Sequence, residues 1–125
     1  MDEVNDRLKD IKIENFIWII YIGIIILSYY SNSLEKKYLL YNDQISKEKY
    51  RKIMILIFSV LVIVYLYFFK DSYSNIKDIN LNNMSEEDRL FLLSFIGSSL
   101  ILISGLIFLY IAIKDEDINV ELAFN

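Results

Sequence analysis

The stretch LFLLSFIGSSLILISGLIFLYIAI, from Leu90 to Ile113, holds 24 residues without a charged side chain. Arg89 precedes it and Lys114 follows it. As an α-helix rising about 1.5 Å per residue, it would be about 36 Å long, which exceeds the roughly 30 Å of a bilayer's hydrocarbon core. The stretch therefore predicts a membrane-spanning helix.

Two further uncharged runs, Asn15 to Leu34 and Ile53 to Phe69, come before it. The charged residues are confined to the blocks between and outside these runs, whereas a water-soluble helix carries charge along one face. A soluble helical bundle is thus a poor alternative. We predict an all-α integral membrane protein with three transmembrane helices and a helical hairpin extension between spans 1 and 2. Its segments are an amphipathic N-terminal segment (1–14), transmembrane 1 (15–34), a basic helical hairpin loop (35–52), transmembrane 2 (53–69), a polar loop (70–89), transmembrane 3 (90–113) and an acidic C-terminal tail (114–125).

The N-terminal segment has one apolar stripe, because Val4, Leu8 and Ile11 recur at helical spacing among charged residues. Such a segment fits a helix lying in the membrane interface. A solvated helical lead-in to span 1 fits equally well. The mixed charges argue against a cleaved signal peptide.

The first loop contains the most concentrated basic block of the chain. Apolar residues continue at intervals of seven past Tyr30, which predicts that the first helix extends beyond the membrane. Asn42 and Asp43 are turn formers, and Ser46 is a candidate cap for a second helix beginning at Lys47. The basic residues of the block either bind anionic lipid headgroups or only set the topology; they are Lys36, Lys37, Lys47, Lys49, Arg51 and Lys52.

The second loop contains a partial calcium-binding pattern, with Asp78, Asn80 and Asn82 at the spacing of the first three ligands of an EF-hand. Arg89 then stands where a bidentate Glu is required, so we expect no metal site. Ser85, followed by three acidic residues, predicts that the third helix starts there.

Span 3 has small residues along one side, spaced so that a neighbouring helix could approach closely. We call this set the seam. It serves either packing within the chain or contact with a second copy or a partner's helix, and its members are Ser94, Gly97, Ser98, Gly105 and Ala112.

The acidic tail alternates apolar with polar or small residues, which is the pattern of a β-strand. We predict that the apolar members dock as an extended segment, by strand addition to a partner or against the basic hairpin. A solvated tail is the simpler alternative. The docking residues would be Ile118, Val120, Leu122 and Phe124.

The composition disfavours several classes of chemistry. The chain has no Cys and no His, and no ionisable Asp, Glu, Lys or Arg lies within a span. With three glycines it lacks a phosphate-binding loop, and its net charge of −4 gives no nucleic-acid footprint. We therefore expect no enzyme activity, cofactor, metal, nucleic acid or small-molecule substrate.

What is left is a small membrane protein that acts by contact, as an accessory subunit, an immunity-type protector or a scaffold. Its expected partners are the lipid bilayer and either further copies of itself or a larger membrane protein. The alternative is an oligomeric pore former, because the size, the three spans and the orientation resemble the class I phage holins. The Ile, Asn, Lys and Tyr richness is typical of AT-rich bacterial genomes.

The orientation follows from the basic residues. The first loop and the tail together carry seven Lys or Arg, against six for the N-terminal segment and the second loop. Because cytoplasmic loops are enriched in Lys and Arg, we expect the first loop and the C-terminus in the cytoplasm and the N-terminus outside.

Overall fold

A computed structural model describes residues 2–122 of the chain. They form three α-helices, α1 (Asp2–Tyr41), α2 (Gln44–Ile76) and α3 (Glu86–Lys114), and no β-strand occurs in this range. Each helix is long and apolar enough to cross a membrane. The predicted all-α fold with three helices of transmembrane type is confirmed.

Two of the helices are far longer than a bilayer requires. α1 has 40 residues and α2 has 33, which correspond to about 60 and 50 Å of helix. α1 includes the whole N-terminal segment without a break, and an Arg7–Glu14 ion pair of 3.2 Å lies along it. The N-terminal segment is therefore helical and continuous with the rest of α1.

A two-residue turn joins α1 to α2 and forms the predicted helical hairpin. Asn42 adopts a left-handed conformation (φ 54°), and its N–H donates to the Tyr38 carbonyl at 2.8 Å. α2 then begins at Gln44, so the expected cap at Ser46 is wrong. Asp43 takes that role, because its carboxylate accepts from the Ile45 N–H at 3.2 Å and from the Ser46 hydroxyl at 2.9 Å.

The chain divides into two compact units within α2. Among the described residues, the first unit comprises α1 and the beginning of α2 up to Ile53. Its buried positions on α1 recur every seven residues at Ile17, Ile24 and Ser31. This periodicity marks one covered face, and the other faces of α1 between residues 15 and 34 are largely exposed and apolar.

The second unit comprises Met54 to Leu122, with the rest of α2, all of α3 and the described part of the tail. α2 supplies most of its buried side chains, which include Met54, Ile57, Phe58, Leu61 and Val64. Spacings of three and four residues place these side chains on one face of the helix. This face of α2 is the core of the unit.

Aromatic contacts fix how α2 and α3 pack within the second unit. The ring centroids of Phe58 and Phe108 are 5.5 Å apart, and those of Phe69 and Phe95 are 5.2 Å apart. As the residue number rises along α2 it falls along α3, so the two helices are antiparallel. Tyr73, one turn beyond Phe69, also contacts Phe95.

The start of α3 agrees with the sequence. Ser85 is the N-cap, and its hydroxyl accepts from the Asp88 N–H at 3.1 Å. The Asp88 carboxylate in turn accepts from the Ser85 N–H at 3.1 Å, which completes a capping box. The predicted helix start at Ser85 is confirmed.

The tail departs from its predicted extended conformation. Residues 115–122 contain turns and bends, and Ile118 has a φ of 56°, which breaks the alternation of a strand. The Asp115 carboxylate accepts from the Val120 N–H at 2.7 Å and so closes a turn of its own. The predicted strand-like segment is therefore wrong for these residues, since no neighbouring strand pairs with their backbone.

Candidate functional site

The seam on α3 is divided between a covered half and an open half. Gly105 and Ala112 are buried. A Cβ atom added to Gly105 would lie 2.9 Å from Cδ2 of Tyr65 and 3.4 Å from Cγ2 of Val62. The absence of a side chain at Gly105 thus lets α3 approach α2 within the second unit.

The other half of the seam makes no such contact. A Cβ atom added to Gly97 would meet nothing within 4 Å, Ser94 is exposed and Ser98 is half-buried. Ser104, seven residues after Gly97, is also exposed and was missed from the sequence. Its spacing of seven from Gly97 was the available signal, and it extends the open side of α3 by two turns.

The basic residues of the hairpin differ in exposure. Lys36, Lys37, Lys49 and Lys52 are exposed, whereas Lys47 and Arg51 are half-buried. The Lys47 ammonium lies 5.3 Å from the centroid of the Tyr38 ring, a cation–π contact between the two helices of the hairpin. The six residues lie on the last turns of α1 and the first turns of α2, which the short turn brings to one end of the first unit.

An apolar surface at the turn of the hairpin was not predicted from the sequence. Leu39, Leu40 and Tyr41 end α1, Ile45 lies in the first turn of α2, and all four are between 62% and 75% exposed. We call this surface the hairpin tip. The available signal was an apolar cluster outside every uncharged run, within the basic block of residues 35–52.

The predicted docking residues of the tail are placed unequally. Leu122 is buried, Ile118 is half-buried and Val120 is 48% exposed. Phe124 lies outside the described residues. The described positions therefore do not form one apolar face.

Electrostatics in the hairpin centre on Asp43. The hydrogen bond from the Ser46 hydroxyl, together with those from the Ile45 and Ser46 N–H groups and the nearby Lys37 ammonium, holds the pKa of this carboxyl below its ordinary value. Asp43 is thus ionised at neutral pH, as a cap at the positive end of a helix dipole requires.

Within residues 2–122, no three carboxylate side chains come together in a way that could hold a metal ion. The Asn80 side chain of the partial calcium pattern accepts from the Asn82 N–H at 3.0 Å, so it closes a local turn. The surfaces that distinguish this chain are therefore the hairpin tip, the basic residues beside it and the open half of the seam.

In comparisons with known proteins, no family model, no curated protein and no solved structure matches the chain.

Proposed function

We propose that this is a non-catalytic, multi-pass membrane protein that acts by contact with another protein, as an accessory subunit, an immunity-type protector or a scaffold. The absence of ionisable Asp, Glu, Lys and Arg from the three uncharged runs supports this proposal, since proton relays and ion pathways within a bilayer use such groups. Contact requires only an accessible surface of suitable shape and polarity.

The observation that carries the proposal is the exposed hairpin tip. Exposed apolar residues on the spans have lipid to cover them, but the tip lies outside the uncharged runs. Span 1 ends at Leu34, so Tyr41 stands about 10 Å of helix beyond the hydrocarbon core, and Gln44 stands about 13 Å before Ile53. Headgroups occupy only about 5–7 Å on each side of that core. Exposed apolar surface in water favours a protein interface.

The contact surface is small and specific in chemistry. Three aliphatic side chains and one tyrosine form it, and basic residues lie beside them along both helices. A partner would offer an apolar depression with acidic residues at its rim.

We further propose that the hairpin and the C-terminus are cytoplasmic and that the N-terminus is outside, because the hairpin holds the densest basic block. Fusion of green fluorescent protein after Asn125 should then give fluorescent cells, and alkaline phosphatase at the same position should remain inactive. The reverse pair of results would overturn the orientation.

In-cell photo-crosslinking tests the proposed function. In the protein's native host cells, a benzophenone amino acid placed at Leu40 should crosslink the protein to one other protein and give an adduct of defined size. The same probe at Leu81, which is 72% exposed and also lies outside the uncharged runs, should not. Adducts made only with lipid at Leu40 would contradict the proposal.

A polar version of the tip provides a second test. L39Q/L40Q/I45Q should abolish the adduct formed by a probe at Tyr41 while membrane insertion is unchanged. V4Q/L8Q/L81Q, which alters three other exposed apolar residues outside the spans, is the matched control. A ladder of self-adducts together with membrane leakage would instead support the pore-forming class.

A further inference from the structure

We propose that the hairpin carries a collar of lysines that binds the headgroups of anionic phospholipids in the protein's own membrane. The collar is Lys36 and Lys37 at the end of α1, and Lys49 and Lys52 at the start of α2. The inference concerns lipid and does not depend on the proposed protein partner.

The depth of the collar matches the headgroup layer. Counted from Leu34, Lys36 and Lys37 lie about 3 and 4.5 Å along the helix, and counted back from Ile53, Lys52 and Lys49 lie about 1.5 and 6 Å away. The headgroup layer is about 5–7 Å thick on each side of the bilayer. The backbone of all four lysines therefore lies at the level of the lipid phosphates. Their flexible side chains can shift the ammonium groups to the depth of the phosphate oxygens.

The collar is also free to bind an external anion. All four lysines are exposed, and none makes an ion pair within 4 Å with another residue in the part of the chain that the structure describes. The carboxylate of the turn, Asp43, is held by hydrogen bonds to the first turn of α2. Apart from the charge effect of Lys37 on Asp43, the positive charge of the collar is thus left for groups outside the chain.

The collar lies in a block of the sequence, residues 35–52, whose net charge is positive. Residues 35–52 hold six basic and three acidic side chains, a net of +3, whereas the chain as a whole has a net charge of −4. Each of the other three charged blocks, residues 1–14, 70–89 and 114–125, has a net negative charge. Lys49 and Lys52 are three residues apart and so share a helix face, which concentrates the charge further.

The probe for this site is spin-labelled lipid in reconstituted bilayers. Spin-labelled phosphatidylglycerol and phosphatidylcholine are compared in the lipid shell that the protein immobilises. One basic residue near an anionic surface contributes roughly a five-fold preference. Wild-type protein should therefore enrich phosphatidylglycerol several-fold, and 0.5 M NaCl should lower the enrichment because it shortens the screening length.

Three variants separate the collar from net charge. K36Q/K37Q/K49Q/K52Q should bring the ratio of the two lipids close to one. K9Q/K12Q/K70Q/K77Q removes the same charge from four other exposed lysines, and it should keep the wild-type enrichment. K36R/K37R/K49R/K52R retains the charge and should keep it too.

The outcomes that would overturn the proposal are equally definite. Wild-type protein with no preference for phosphatidylglycerol would refute it, as would a Gln collar variant that retained the preference. Loss of enrichment in the control variant to the same extent would show a general charge effect and no collar site. Competition by 10 mM inorganic phosphate should leave the enrichment in place, because the bilayer supplies many headgroups at once, and its complete removal would identify a free-phosphate site instead.

Discussion

At the scale of single residues, Asp43 determines where the second helix begins. Its carboxylate accepts hydrogen bonds from the Ile45 N–H, which has no acceptor within the helix, and from the Ser46 hydroxyl. We expect Asp43→Ala to lower the midpoint of thermal unfolding in detergent, and Asp43→Asn to lower it less, because Asn is also a good cap. Asp78→Ala, in an exposed loop, is the control and should have little effect.

The pH dependence of this cap has a definite sign. The pKa of Asp43 is lowered below its ordinary value of 3.8 in the folded chain, chiefly by the Ser46 hydroxyl. The stabilising contribution is therefore full above pH 3.8 and is lost as the pH falls through the lowered pKa. The difference in unfolding midpoint between wild type and Asp43→Ala should be large at pH 7 and shrink toward pH 3. A constant difference across this range would contradict the assignment of the cap.

Gly97 and Gly105 lie on the same helix but should respond oppositely to substitution. Gly105→Leu overpacks against Tyr65 and Val62, so we expect it to destabilise the protein by about 1–3 kcal/mol. Gly97→Ala meets no atom and replaces a poor helix former, so it should be neutral or stabilise by up to about 1 kcal/mol. Steric-trap or denaturant unfolding in micelles measures both. Equal effects at the two glycines would show that the seam is not divided.

Which single residues could be predicted from sequence depended on how local their role is. Ser85 was correctly predicted as a cap because its partner Asp88 lies three residues away. The predicted cap at Ser46 was wrong because Asp43, three residues earlier, caps α2 directly after the left-handed turn at Asn42. The division of the seam was beyond prediction, since it depends on how Phe95 and Phe108 align with α2.

At the scale of the elements, the capping box fixes the start of α3. Ser85→Ala removes one of its two reciprocal hydrogen bonds and should cost about 1 kcal/mol of helix stability. Hydrogen exchange at the Asp88 amide, which donates to the Ser85 hydroxyl, should accelerate, while exchange in the middle of α3 stays slow. Ser74→Ala, which removes a hydroxyl bonded only to the Asp71 carbonyl, is the matched control. Unchanged exchange in the first turn would show that the box is dispensable.

Element types were predicted well where long apolar runs determined them and poorly in the tail. An uncharged run of 24 residues has few alternatives to a spanning helix. Residues 118–122 of the tail alternate in polarity, but a strand needs a partner for its backbone groups. Asp115 provides a local acceptor for the Val120 N–H, so a turn forms in its place.

At the scale of the whole molecule, the charged residues are segregated from the apolar runs. Every Asp, Glu, Lys and Arg lies outside the three uncharged runs, and the only block with a positive balance is the hairpin between spans 1 and 2. If all three helices cross the membrane, then the N-terminal segment shares a side with the second loop. The hairpin shares the other side with the tail. The depth of the collar and the height of the tip both depend on this alternation.

Single-cysteine accessibility tests the alternation most directly, since the chain has no native Cys. Cysteines replace Lys9, Glu48, Asn75 and Glu116, all of which are exposed. With a membrane-impermeant maleimide on intact cells, K9C and N75C should react at once, whereas E48C and E116C should react only after permeabilisation. Exchanged sides for the two pairs would reverse the orientation but preserve three crossings. Reaction of K9C and E48C from the same side, or of N75C and E116C from the same side, would contradict the account.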